Sequence, residues 1–168
     1  MAPEDVAKIV SLDEPPLGAA EFDAIVTLAY VAMMADGVAC ETELAVFGAI
    51  VARVRALATR AVKQSEYRSS AAIAQPRALE DDETDDLLSR LDATVAARGA
   101  TELVSDAASA LSPTARRLAY KIAYAMVIVD LADTRDEQSM LSDLAQALEI
   151  DSDAAADLAE EVLARLSA

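Results

Sequence analysis

Apolar residues recur along this chain at intervals of three and four, the period of an α-helix that buries one face. From about Gly18 to Ala35 the stripe is Phe22, Ile25, Val26, Ala29 and Met33. Beyond a turn, Val46, Phe47, Ile50, Val54 and Leu57 repeat the pattern. The segment "LSPTARRLAYKIAYAMVIVD" predicts a helix with Ser112 as N-cap and Pro113 in its first turn. Its stretch Ile122–Val129 is apolar all round, which predicts the buried central helix. Met140, Leu141, Leu144 and Leu148 mark another helix, and Asp151 or Ser152 caps a last one carrying Leu158, Val162, Leu163 and Leu166. Residues up to Pro16 read as a short helix or arm ended by Pro15-Pro16. In the middle, "KQSEYRSSAAIAQP" reads as helix interrupted at Pro76, and Gly99 as the stop of a helix that opens in "EDDETDD". With no strand pattern, the expected fold is all-α: a compact bundle of about seven or eight short helices forming a single domain over residues 1–168.

Composition agrees. Glycine and proline are scarce, tryptophan is absent and apolar residues make up 54% of the 168, much of it alanine. The acid run at residues 80 to 86 suits a helix N-terminus, where the dipole favours negative charge. A net charge of −16 repels phosphates and anionic headgroups, so nucleic acid is excluded as a partner and cations or basic proteins are favoured. The runs "LAYVAMMA" and "IAYAMVIV" are too short to span a bilayer, which argues against direct membrane insertion. The first residues carry no signal-peptide pattern and Cys40 has no cysteine to pair with, so a cytoplasmic protein is expected.

The helix-turn-helix of the first half returns 94 residues later: Tyr30 falls on Tyr124, Asp36 on Asp130, Glu43 on Glu137 and Phe47 on Leu141. This predicts two pseudo-repeated units, roughly 20–60 and 112–150. Asp36 continues the apolar stripe three residues after Met33, and Glu43 precedes Val46, Phe47 and Ile50 on the inward face of the next helix. Asp130 and Glu137 stand alike to their helices, so each Asp–Glu pair flanks a turn at the core edge. If all four converged, two carboxylates about 4 Å apart would repel by roughly 4 kcal/mol at an effective dielectric near 20. Protonation, a basic partner, backbone N–H groups or a cation relieves such repulsion, and hard oxygens suit calcium, magnesium or manganese. The glutamates have a plainer reading. "TRDE" is a capping box with Thr134 and Glu137, and "CETE" has the same form with Cys40 and Glu43. The aspartates close their helices, where the dipole disfavours them. Tyr30 and Tyr124 lie off that face and read as core residues whose hydroxyls bond a neighbour.

At "MMADGVACETELAVF" and "VIVDLADTRDEQSML" the chain resembles the TerB-like family of tellurite-resistance proteins: an alanine-rich helix ending A-D-G, a short loop, and Glu opening an amphipathic helix. The ending "LAQALEIDSDAAADLAEEVLARL" resembles that family's, while residues 62–110 match nothing specific in it. The resemblance implies an all-α stress-response protein that works alongside membrane and cytoplasmic partners and binds a divalent metal ion through Asp36, Glu43, Asp130 and Glu137. The second copy departs from the motif, with Leu131 in place of the glycine and extra acids at Asp133 and Asp136. The other reading is a helical adaptor for a basic or membrane-associated protein, its acids serving as helix caps. The chain has no histidine, which removes Ser-His-Asp catalysis and histidine-ligated zinc. It has no glycine-rich phosphate loop, and residues 36 to 47 lack the alternating oxygen ligands of an EF-hand.

Overall fold

A computed structural model describes residues 2–11, 13–35, 37–66, 77, 80–129 and 135–167. Among these the chain is all-helical: α1 Pro3–Ala7, α2 Ala19–Met33, α3 Glu41–Glu66, α4 Asp81–Arg98, α5 Ala100–Ala110, α6 Pro113–Ile128, α7 Arg135–Ala147 and α8 Ser152–Leu166. The expectation of seven or eight helices is met, although α3, at 26 residues, is longer than the sequence pattern suggests.

Two helices form the centre. α2 packs against α3, α5 and α6, and α6 also meets α7 and α8. α6 is buried from Leu118 through Ala123 without interruption, so no face of that stretch meets water. Its start was legible in the sequence: Ser112 is the N-cap, its hydroxyl accepts from the Ala115 N–H, and Pro113 occupies the first turn. α3 buries the expected stripe of Val46, Phe47, Ile50, Val54 and Leu57 at 0–1% exposure. Full burial of such side chains stabilises by roughly 1.5–3 kcal/mol each. Phe47 meets the Tyr30 ring edge-on at 6.2 Å between centroids. Gly99 ends α4 at a φ of +82°, where other residues are strained, and the chain turns there into α5.

The N-terminal residues are more than an arm. Val6, Ala7, Ile9, Val10 and Leu17 are all buried, and α1 lies on α3. Three basic side chains tie this segment down. Arg53 donates to the Val10 carbonyl at 2.9 Å, Arg165 donates to the Ile9 carbonyl at 3.1 Å, and the Lys121 ammonium donates to Glu14 at 3.2 Å. The segment thus joins α3, α6 and α8.

A second junction links the starts of α2 and α6. One oxygen of Glu21 accepts from the Gly18 N–H at 2.9 Å, closing the first turn of α2. The other accepts from the Ser112 hydroxyl at 2.5 Å and the Ser112 N–H at 3.2 Å. Burial alone would raise the Glu21 carboxyl, but these hydrogen bonds outweigh it and hold the group below the usual glutamate range. α2 begins at Ala19 and α6 at Pro113, and α3 begins at Glu41 and α7 at Arg135, each pair 94 positions apart. The helix starts therefore keep the spacing of the sequence repeat. The units differ in extent, since α7 has 13 residues.

Candidate functional site

Of the four carboxylates expected at the turns, Glu43 is described fully. It sits in the first turn of α3 at 6% exposure, and its Oε2 accepts from the Cys40 N–H at 2.7 Å. That is the back-bond of a capping box, formed without a hydroxyl at position 40. Burial without a backbone donor would cost a carboxylate several kcal/mol, and the Cys40 N–H supplies one. Asp36 and Asp130 lie outside the described residues, as does the side chain of Glu137, although Glu137 itself falls in α7. Gly37, beside Asp36, adopts a φ of +87° and its N–H donates to the Met34 carbonyl at 3.0 Å, which ends the α2 turn. Among the described residues no three acids or thiols cluster so as to hold a metal ion. Cys40 is exposed.

The matched tyrosines behave differently. Tyr30 is 3% exposed and its hydroxyl donates to Asp92 of α4. Burial, followed by that hydrogen bond and the neighbouring negative charge, pushes the phenol up to about 12. Tyr124 is half-buried.

Charge is arranged unevenly. Several basic side chains are turned inward or neutralised, while Arg90 and Arg117 are exposed. Lys121 is buried between Glu14 and Glu161, and Arg53 and Arg165 hold backbone carbonyls. On the surface, Arg77 pairs with Glu80 and Glu83, Arg98 with Glu102 and Asp106, and Arg116 with Glu149. The acids outnumber these partners. Asp23, Asp85, Asp143, Asp153, Asp157 and Glu160 are exposed and make no ion pair among the described residues.

One open groove of about 480 Å³ lies between α5 and α7, with α2 as its floor. Leu28 and Val31 form the floor, Val104 one wall, and Met140, Leu144 and Ala147 the other. Asp143 is the charged residue lining it. Sequence reasoning missed this feature, because Met140 looks like an ordinary core position until the helices are placed. It also missed Lys121, which sits at the edge of the apolar run of α6.

No family model, curated protein or solved structure matches the chain.

Proposed function

We propose that this protein is a non-enzymatic helical adaptor whose acidic exterior recognises a basic protein partner. The supporting observation is the fate of its basic side chains. Lys121 is buried between two glutamates, Arg53 and Arg165 hold backbone carbonyls, and Arg77, Arg98 and Arg116 are matched by carboxylates. Asp85 and Asp86 of α4, Asp143 of α7 and Asp153, Asp157 and Glu160 of α8 are exposed, on a chain whose net charge is −16. Such a surface accelerates encounter with cationic partners and rejects anionic ones. Immobilised protein should retain a basic protein from an extract of its own cells and release it in high salt, with the partner identified by mass spectrometry. Retention of acidic proteins alone, or retention indifferent to salt, would sink this reading.

A second reading, a stress-response protein binding a divalent cation as the TerB-like resemblance implies, is favoured by one observation. Glu43 is the one buried acid among the described residues, and it lies at the first of the two turns. In this reading Asp36, Asp130 and Glu137 complete the set. A cation that binds only the folded state at a hundred times its Kd adds roughly 2.7 kcal/mol. Melting temperature should then rise with calcium, magnesium or manganese relative to chelator, and Asp36→Asn should remove most of the rise. Identical melting of the unmodified protein in all of these buffers would eliminate the cation reading.

A further inference from the structure

We infer that the groove between α5 and α7 is the docking site of an amphipathic helix with apolar anchors and a lysine- or arginine-rich flank. The inference rests on the adaptor reading and gives it a place and a partner chemistry.

Three observations carry it. The first is shape. Ser139 to Ala147 of α7 span about 12 Å at 1.5 Å per residue, and Ala100 to Ser105 of α5 run opposite them. An open trough of that length between two helices accepts side chains at i, i+4 and i+7 of a third helix. The second is charge. Asp143 lines the groove and makes no ion pair among the described residues, and no basic residue lines it. A basic flank is therefore attracted, whereas a second copy of this chain, itself at −16, is repelled. The third is the example inside the molecule. Along α3, Val46 and Ile50 are sealed, α1 lies on that helix, and Arg53 holds the Val10 carbonyl. Of the positions 94 residues further on, Leu144 is buried as Ile50 is, at 3% exposure, but Met140 and Ala147 are only half-buried and line the open groove. The first half thus carries an apolar segment of its own chain on α3, and the groove leaves Met140 and Ala147 of the second half partly open.

The test uses three synthetic helical peptides on the full chain, read by calorimetry at low and moderate salt. The first has leucines at i, i+4 and i+7 and lysines elsewhere. The second replaces its lysines with glutamates, and the third replaces its leucines with alanines. The lysine–leucine peptide should bind, and Ser105→Arg, which places a large cation in the groove mouth, should weaken it by about tenfold or more. Ser89→Arg on α4 adds the same charge elsewhere and should change little. Asp143→Asn should weaken binding a few-fold and lessen its salt dependence. If the lysine–alanine peptide binds equally well, or Ser105→Arg and Ser89→Arg act alike, the groove is overturned while the adaptor reading stands. If neither basic peptide binds, both fall. If the glutamate peptide binds as well as the lysine one, the assigned partner chemistry is wrong. Self-association of the unmodified protein that Ser105→Arg abolishes would assign the groove to a second copy and overturn the proposal.

Discussion

The α2–α3 pair and the α6–α7 pair start their helices at the same spacing, yet their surroundings differ. Phe47 and Val46 at the start of α3 are fully buried, whereas Leu141 and Met140, 94 positions on, are only half-buried. Phe47 packs on the Tyr30 ring of α2. The N-terminal segment lies on α3, tied down by Arg53 of α3, Lys121 of α6 and Arg165 of α8. On α7, Met140 faces the open groove. The same hydrophobic spacing is thus fully buried in one half and buried only at Leu144 and Leu148 in the other, where Met140 and Leu141 stay half-buried. Periodicity says which face of a helix is apolar, but not what will cover it.

The largest test of this contrast compares truncations at matched positions. Phe47→Ala should cost about 3–5 kcal/mol, and Leu141→Ala well under half of that, measured from urea midpoints at fixed slope. Equal costs would mean that the two halves are packed alike and would break the comparison. Next is the cover itself. Ile9→Ala should cost roughly 2–4 kcal/mol, as for a core residue, because Ile9 is 0% exposed. A loss below about 0.5 kcal/mol, the scale of ordinary surface changes, would make the segment a loose arm and would remove the covered half of the contrast.

Smaller effects sharpen the junction between the halves. Glu21→Ala removes a capping box and two bonds to Ser112, and should cost about 1–2 kcal/mol. Because the Glu21 carboxyl sits below its usual value of 4.5, its contribution is complete above that pH and is lost as the pH falls through the lowered folded value. Glu21→Gln should therefore flatten the decline of melting temperature below about pH 4.5, and an unchanged acid profile would show that the junction is not stabilising. The smallest effect is expected at the tyrosines. Tyr30→Phe should cost about 1 kcal/mol at neutral pH and Tyr124→Phe less. The folded Tyr30 phenol, at about 12 against 10.0 unfolded, favours the folded state fully below pH 10 and loses that contribution as pH rises toward 12. Burial also raises the Tyr120 phenol, so alkaline titration followed by tyrosine absorbance should find late-ionising groups, and Tyr30→Phe should remove the latest of them.

Much of the fold was legible. The stripes of α2 and α3, the Ser112 cap with Pro113, the stop at Gly99 and the Asp151 cap of α8 are local signals, and local chemistry realises them. The Tyr30 hydroxyl found a neighbour as its position suggested, and the reading of Glu43 as a helix cap holds in the Cys40 N–H bond. What was not legible depends on residues far apart. Val6, Ile9 and Val10 are too few to announce themselves as core, and their burial follows from where α3 and α8 lie. Glu21 meets Ser112 across 91 positions and Lys121 meets Glu14 across 107, distances at which no periodicity speaks. The groove is a property of three helices together, so neither α5 nor α7 reveals it alone.

The most direct measurement of the central claim is a map of amide chemical-shift changes on adding the lysine–leucine peptide to isotopically labelled protein. The account predicts changes concentrated at Thr101–Ser105 and Ser139–Ala147, with α1 and the covered face of α3 unmoved. Changes centred on the acidic first turn of α4 or on α8, with α5 and α7 silent, would contradict it.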